Sequence, residues 1–357
     1  MHKNLASLSA VDFFCGAGGM SYGLHAAGIK VIAGLDNDEE CRRTYEKNIP
    51  GALYIKHDIS TLSAPELGRR LGIQAEDRNL VFSGCSPCQF WSKIRTDKTK
   101  SEKTAHLLKQ FEKFVRYFKP GFVIVENVPG LYRRKAESIL PQFHDFLDSL
   151  GYSWGDGVVN ALHYGVPQKR MRYLLVATRL KTAVSLPPAI VSENLIVSGF
   201  IGVKNGFQQI AAGHRDETQV LHTTASLSSN NLKRIQLTTK SGGSRDAWSS
   251  NEALQISAYK NRDQIFRDVY GRMSWDKPSP TITTRFNSFS NGRFGHPDED
   301  RAISLREGAT LQTFPKTYEF HATSANSIAR QIGNAVPPEL ARRIGTHLIS
   351  MVSHGED

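Results

Sequence analysis

The 357-residue chain carries 45 lysines and arginines against 34 aspartates and glutamates, a formal net charge of +11. Hydrophobic residues make up 39% and charged residues 22%, which excludes a disordered chain and allows two domains with a sizeable core. No apolar run is long enough to cross a bilayer, and the start of the chain lacks the apolar core of a signal peptide. We therefore expect a cytoplasmic protein without a membrane partner. The charge favours a polyanionic partner such as nucleic acid, although a merely basic enzyme has the same charge.

The first part of the chain predicts a βαβ unit. In chain order it contains a strand at 10–14, a glycine-rich turn at 16–19, a helix at 20–27 and a strand at 30–35. Asp36 follows the second strand, where a carboxylate typically binds the ribose hydroxyl groups of an adenosine-containing cofactor. Asp58 follows the third predicted strand and can accept a hydrogen bond from an adenine amino group. The alternative interpretation of the glycines is an ordinary tight turn that binds no ligand.

The alternation of helices and strands continues. Further elements are predicted as a helix at 39–47, a strand at 53–55, a helix at 65–71, a strand at 80–84, a helix at 104–118 and a strand at 122–125. This order predicts an α/β fold with a doubly wound, mostly parallel sheet that is covered on both faces.

The composition changes after about residue 180. Residues 181–270 are rich in serine, threonine, asparagine and glycine, and neither helical nor strand periodicity lasts long there. We expect a smaller, loop-rich second domain at 181–324. The first domain then consists of 1–180 plus 325–357, because the last helix, 338–351, carries an apolar stripe that predicts a return to the sheet.

Three groups with reactive side chains follow predicted strands. Cys88 lies in a proline-containing loop after the strand at 80–84, and Glu126 directly follows the strand at 122–125. Arg170 and Arg172, two residues apart, are expected on one face of a later strand. A thiol activated by a nearby arginine can attack an electron-poor ring, and a carboxyl group can hold a ring nitrogen. The structural alternatives are a carboxylate that caps a helix and arginines that only form ion pairs.

The cysteines also allow a different interpretation. Cys85 and Cys88 form a Cys-x-x-Cys pair, which is found in zinc and dithiol sites. Cys15 and Cys41 are isolated from each other, so a second closely spaced pair is missing, and we expect no metal site. A basic segment follows Cys88 and is either a solvated face or a loop that closes over a phosphate backbone; its residues are Lys93, Arg95, Lys98, Lys100 and Lys103.

The order of these motifs resembles the DNA (cytosine-5)-methyltransferase family. The resemblance is carried by Phe14-Cys15-Gly16-Ala17-Gly18-Gly19, Pro87-Cys88-Gln89, Glu126-Asn127-Val128, Gln168-Lys169-Arg170-Met171-Arg172 and Gly333-Asn334-Ala335-Val336-Pro337. It covers nearly the whole chain apart from 181–270, where the family keeps its target-recognition domain. The resemblance implies a Rossmann-like methyltransferase core.

The same resemblance implies a reaction. S-adenosyl-L-methionine would be the methyl donor, and double-stranded DNA would supply a cytosine that is flipped out of the helix. Cys88 would attack carbon 6 of this base, and Glu126 would hold ring nitrogen 3 and the exocyclic amine. Arg172, together with Arg170, would hold the base oxygen and the strand around it. The methyl group would go to carbon 5.

The resemblance also assigns binding residues. The cofactor pocket would contain Phe14, Gly16, Gly18, Asp36, Asn37, Asp58, Ile59, Pro87 and Asn334. Asn37 departs from the bulky apolar residue that many members place against adenine, and Ser86 stands where a second proline is common. Candidate DNA contacts are Gln89, Lys93, Arg95, Lys233, Arg234, Lys240 and Arg245.

Other functions remain open at this point. One is an RNA cytosine-5 methyltransferase with the same core, although the long polar insert favours a DNA reader. Another is a non-catalytic DNA-binding relative. The presence of Cys88, Glu126 and Arg172 argues against this alternative. We expect a monomer, and a restriction-modification system with a companion endonuclease is one setting that the resemblance allows.

Overall fold

The computed structural model describes residues 7–86, 98–133, 138–190, 194–259 and 268–354. Its centre is a seven-stranded sheet in the order β3-β2-β1-β4-β5-β7-β6. The strands are β1 (Ser9–Phe13), β2 (Lys30–Asp36), β3 (Leu53–Lys56), β4 (Leu80–Gly84), β5 (Phe122–Asn127), β6 (Ser153–Asn160) and β7 (Met171–Thr178). The pairs among β1 to β5 are parallel, whereas β7 is antiparallel to both β5 and β6. The predicted α/β fold with a mostly parallel sheet is confirmed.

Helices cover both faces of this sheet. The α-helices of the described residues are α1 (Gly19–Ala26), α2 (Arg42–Asn48), α3 (Ala64–Leu71), α4 (Lys98–Phe118), α5 (Pro129–Arg133), α6 (Leu140–Ser149), α7 (Ser229–Leu237), α8 (Leu305–Leu311), α9 (Ala325–Asn334) and α10 (Pro338–His354). One core cluster packs α1 and α10 on the sheet, and a second packs α3, α4 and α6 on its other face. The last helix therefore returns to the sheet, as its apolar stripe predicts.

The central strands are apolar on both sides because both faces of the sheet are covered. Every residue of β4 and of β5 is buried. Strand β5 extends two residues beyond the predicted end, which brings Glu126 and Asn127 into the ladder. Helix α4 begins at Lys98 rather than at residue 104, since the apolar spacing that predicted it begins only at Leu107.

The loop-rich character predicted for the segment after residue 180 is confirmed. In its described part, between residues 181 and 270, α7 is the single α-helix, accompanied by short 3-10 turns. A third core cluster combines Phe207 and Phe286 with Ile328 and Ile332 of α9. Buried apolar contacts therefore connect this region to α9. The domain boundaries themselves remain a prediction.

A buried ion pair anchors the loops before α8. Arg301 donates two hydrogen bonds to the carboxylate of Glu307, at 2.7 and 3.0 Å, and neither side chain is exposed. Burial alone would raise the pKa of Glu307, but the attraction to Arg301 and its hydrogen bonds lower it to about 2. Among the described helices, none is both long and apolar enough to cross a membrane.

Candidate active site

A cleft of about 1340 Å³ opens along the carboxyl ends of β1, β2, β4 and β5. Ligands of open α/β sheets bind at this edge, because the loops that leave parallel strands converge there. The cleft is lined by these predicted site residues: Phe14, Gly16, Asp36, Asn37, Asp58, Ile59, Glu126, Arg170, Arg172 and Asn334. The structure therefore brings residues that are more than 300 positions apart into one site.

The end of the cleft near β2 and β3 is acidic. Oδ2 of Asp36 accepts a hydrogen bond from the backbone N–H of Gly16 at 2.8 Å, and Oδ1 accepts one from Asp38 N–H at 3.0 Å. Burial raises the pKa of Asp36 above its ordinary value. Asp58 is exposed, and its Oδ1 accepts hydrogen bonds from the N–H and hydroxyl of Ser60, which lower its pKa. These contacts fix both carboxylates at the rim.

The glycine turn gives the cleft an open floor. Gly16 has φ of +49°, and among the described residues no atom beyond those of its two chain neighbours lies within 4 Å of the place where a Cβ would be. A ligand can therefore approach the backbone closely there. The predicted cofactor residue Gly18 does not line the cleft, and a Cβ at this position would lie only 3.1 Å from the Tyr318 hydroxyl oxygen and from a ring carbon of Tyr45. With φ of +87°, Gly18 is the left-handed N-cap residue of α1.

Phe14 stands between β1 and this turn. Its φ is +62°, a left-handed conformation that costs free energy for a residue with a side chain. The residue is half-buried and lines the cleft. The strained backbone turns Phe14 out of the β1 ladder, so its ring is available to the cleft.

Two further glycines of the sequence motifs hold the opposite wall. A Cβ at Gly19 would lie 2.2 Å from the carbonyl oxygen of Val336, and one at Gly333 would lie 2.4 Å from the backbone of Thr283. Only glycine permits these approaches. The wall that carries Asn334 is thereby packed against both the glycine turn and the segment at 281–284.

Glu126 lies at the end of β5 and is 8% exposed. Nε of Arg172 lies 2.9 Å from its Oε1. The neighbouring Asn127 donates from Nδ2 to the carbonyl oxygen of Ser86 at 3.3 Å, which ties the end of β5 to the chain leaving β4. Pro87, Cys88, Gln89, Lys93 and Arg95 lie outside the described residues, so the nucleophile and the Cys85–Cys88 pair remain predictions.

Arg170 does not share a strand face with Arg172, because β7 begins only at Met171. Its guanidinium is 1% exposed and donates to the carbonyl oxygens of Ile282, Gly333 and Ala335 at 2.9 to 3.1 Å. Burial lowers the pKa of Arg170 well below its ordinary value. These contacts use Nη1 and Nη2 inside the protein, whereas Nε has no hydrogen-bond partner among the described residues; that Arg170 holds the base therefore stays a prediction.

The side chain of Gln168 adds hydrogen bonds to those that Arg170 makes inside the protein. Its amide nitrogen donates to Oε1 of Gln312 at 2.9 Å, and its amide oxygen accepts from Ile282 N–H at 2.9 Å. Gln168 is fully buried. The Gln-Lys-Arg segment therefore joins β7 to the segments before α8 and after α9.

The candidate DNA contacts in the loop-rich region divide into two kinds. Lys233 and Lys240 are exposed. Arg234 and Arg245 are 9% and 4% exposed, which corrects their prediction as DNA contacts. Arg234 lies over the rings of Trp248 and Tyr270, and Arg245 lies over Tyr259. Both arginines complete the small core of this region.

A buried carboxyl group that the sequence did not mark lies below the cleft. Asp12 accepts hydrogen bonds from the hydroxyls of Ser21 and Ser83, each at 2.6 Å, and Ser21 contacts the Tyr45 hydroxyl at 2.9 Å. Burial raises the pKa of Asp12 to about 6. A lone aspartate inside an apolar strand was the available signal, since buried carboxylates need hydrogen-bond partners.

The sheet and its cleft define a protein of the Rossmann-like methyltransferase class. The chain belongs to the C-5 cytosine-specific DNA methylase family, whose family model matches residues 8–350. It is thus a DNA (cytosine-5-)-methyltransferase, as its motifs predict.

Named relatives agree with this assignment. The chain is 37% identical over 340 residues to Type II methylase M.HgiDII of Herpetosiphon aurantiacus, covering 94% of this chain and 93% of the relative. It is 28% identical to Type II methyltransferase M1.BsuMI of Bacillus subtilis, covering 96% of this chain and 80% of the relative.

Solved structures share the fold. A putative DNA modification methyltransferase encoded within an E. coli prophage aligns with a TM-score of 0.72 at 23% identity, covering 97% of this chain and 100% of that one. The S. pombe Dnmt2 methyltransferase aligns with a TM-score of 0.63 at 16% identity, covering 98% of this chain and 100% of that one.

Proposed function

We propose that this chain transfers a methyl group from S-adenosyl-L-methionine to carbon 5 of a flipped-out cytosine in a specific duplex DNA sequence, through a covalent bond to Cys88. The observation that carries the proposal is the contact between Glu126 and Arg172 at one end of a cleft whose other end carries Asp36 and an open glycine turn. A base-binding end and a cofactor-binding end then share one cavity.

The acidic end of the cleft suits the adenosyl cofactor. Gly16 leaves room for close approach to the backbone, and Asp36 and Asp58 present carboxylate oxygens at the ends of adjacent strands. Phe14, Asn37, Ile59 and Asn334 complete the candidate pocket, together with Gly18 as the support of the turn. When bound, S-adenosyl-L-methionine supplies its methyl group in electrophilic form.

The remaining chemistry belongs to protein side chains. The Cys88 thiolate forms a bond to carbon 6 of the cytosine, which moves electron density to carbon 5. Glu126 shares a proton with ring nitrogen 3 and so makes the ring a better electrophile. Arg172 holds Glu126 in place and donates to the base oxygen. After carbon 5 is methylated, loss of its proton breaks the bond to Cys88 and restores the base.

Arg170 has a different part in this proposal. Its three carbonyl contacts hold the Asn334 wall against the β7 edge. We assign it the role of a positioning residue, which keeps the cofactor end and the base end at a fixed separation.

The relatives suggest a biological setting. M.HgiDII and M1.BsuMI are both named Type II enzymes, and such a name supports a place in a restriction-modification system for this chain as well. The proposal therefore includes protection of host DNA at one recognition sequence, with a companion endonuclease as partner.

The test uses purified full-length protein and labelled S-adenosyl-L-methionine. Duplex DNA of mixed sequence and bulk tRNA compete as acceptors, and bisulfite sequencing of the DNA identifies the methylated site. We expect label on cytosine in one short DNA sequence. Label confined to tRNA, or no label on either acceptor, would contradict the proposal.

A further inference from the structure

The charges that line the cleft are separated along it. At the ends of β1 to β3 the lining side chains are acidic: Asp12, Asp36, Asp38 and Asp58. Around β5, β7 and the segment at 281–285 they are mostly basic: Arg133, Lys169, Arg170, Arg172 and Arg285. The acidic side chain of Glu126 also lies in this basic part of the cleft, and Arg172 pairs with it.

Three of these basic side chains differ from the others. Arg133, Lys169 and Arg285 are exposed, and in the described part of the chain none of the three side chains forms an ion pair or a hydrogen bond. Their neighbours in the cleft are engaged: Arg172 with Glu126, Arg170 with carbonyl oxygens, and Arg330 with Glu40 at 3.1 Å. Each of the three therefore has donors to offer to a ligand.

The three residues come from separate elements around the base-binding end. Arg133 ends α5, which follows the Glu126 strand, and Lys169 lies between the buried Gln168 and Arg170. Arg285 follows Thr283 and Thr284, whose backbone packs against Gly333. Rigid neighbours thus hold the base of each long side chain, while its charged end stays in solvent.

We propose that Arg133, Lys169 and Arg285 form a phosphate clamp, a set of cations that binds the DNA phosphates on both sides of the extruded nucleotide. The inference rests on the proposed function and deepens it. An extruded nucleotide leaves its two flanking phosphates at the mouth of the cleft, where they need cations. Exposed arginine and lysine side chains that have no partner among the described residues suit phosphates, whereas readout of base edges would require fixed donors.

The test compares the salt dependence of DNA binding, measured by fluorescence anisotropy with a labelled duplex. Each phosphate contact contributes a slope of about −0.9 to the plot of log affinity against log salt concentration. We expect the triple variant R133Q/K169Q/R285Q to reduce the magnitude of the slope by about 2 to 3. Its affinity should fall by the same factor for cognate and non-cognate duplexes.

Matched controls come from the opposite edge of the sheet. Lys30 and Arg78 are exposed near the amino ends of β2 and β4, away from the cleft. The variant K30Q/R78Q should leave the slope unchanged, and Arg285→Lys should retain the slope because it keeps the charge. An unchanged slope in the triple variant, or an equal loss per charge in the control, would overturn the clamp.

Two further measurements separate the clamp from other causes. The triple variant should keep the wild-type unfolding midpoint and the wild-type affinity for S-adenosyl-L-methionine; a matching loss of cofactor affinity would show a structural role and overturn the clamp. The slope is read from binding alone. A wild-type chain that binds DNA but methylates nothing would therefore contradict the proposed function and leave the comparison of slopes valid.

Discussion

Nε of Arg172 lies 2.9 Å from Oε1 of Glu126, and the two side chains are only 13% and 10% exposed. The contact joins the antiparallel strands β7 and β5 at the end of the cleft that is proposed to bind the base. A carboxylate and a guanidinium that are both largely withdrawn from water interact more strongly than a surface pair. Each therefore fixes the position of the other before any ligand arrives.

The first prediction concerns Glu126. Glu126→Gln keeps the shape of the side chain but removes its charge and its ability to share a proton. We expect the single-turnover rate of methyl transfer to fall about 100-fold or more, in the range of a lost acid-base group. DNA affinity should change much less. A rate within twofold of the wild type would exclude Glu126 from the chemistry.

The second prediction separates two roles for Arg170. Arg170→Met leaves the carbonyl oxygens of Ile282, Gly333 and Ala335 without their donor. Each buried unpaired group costs about 1 to 3 kcal/mol, so urea denaturation should show a free energy of unfolding lower by about 3 kcal/mol or more. Cofactor affinity should fall with it. Unchanged stability with a selective loss of DNA affinity would instead support direct contact with the base.

The third prediction uses the pH dependence of stability. Burial raises the pKa of Asp12 to about 6 from the ordinary 3.8, so the folded protein holds this proton more tightly than the unfolded chain. The free energy of unfolding contributed by Asp12 is therefore greatest below pH 4 and declines as the pH rises to about 6, by up to about 3 kcal/mol. Asp12→Asn should lack this decline. Parallel pH profiles for the two proteins would contradict the assignment.

The fourth prediction concerns Glu307, whose contribution to stability changes with pH in the direction opposite to that of Asp12. The pKa of Glu307 is lowered to about 2, so its contribution to stability is present above pH 4.5 and is lost as the pH falls toward 2. At pH 7, Glu307→Gln should lower the free energy of unfolding by about 1.5 to 3 kcal/mol, because the buried Arg301 loses one carboxylate partner and keeps the other, Glu299. Glu319→Gln, at an exposed pair with Lys47, is the control and should change stability by less than about 1 kcal/mol. Similar losses in both variants would be inconsistent with this account.

Much of the fold follows from the sequence because its strands are buried on both faces. The run at residues 80–84 is apolar enough to define β4 to the residue. Periodicity fails where polar residues extend an element, as at the start of α4. The order of the strands, with β7 between β5 and β6, depends on long-range pairing that local patterns do not encode.

The site was partly predictable for a similar reason. Motif spacing predicted Asp36, Glu126 and Arg172, and all three line one cleft; Asp36 and Glu126 lie near the ends of apolar strands, and Arg172 lies near the start of β7. The two roles of Arg170 and Arg172 could not be separated, since burial of a guanidinium depends on segments more than 100 residues away. Arg234 and Arg245 were misassigned because a basic residue in a polar region gives no sign that aromatic rings cover it.

The most direct test of the account is a covalent trap. A duplex carrying 5-fluorocytosine at the methylated position is incubated with the protein and S-adenosyl-L-methionine, and the products are separated on a denaturing gel. Fluorine replaces the hydrogen at carbon 5, so after methyl transfer there is no proton to lose and Cys88 cannot be eliminated; the bond to Cys88 should persist, and a protein–DNA adduct should be seen. The same band from Cys88→Ala, or its absence from a wild-type protein that methylates ordinary DNA, would contradict attack by Cys88.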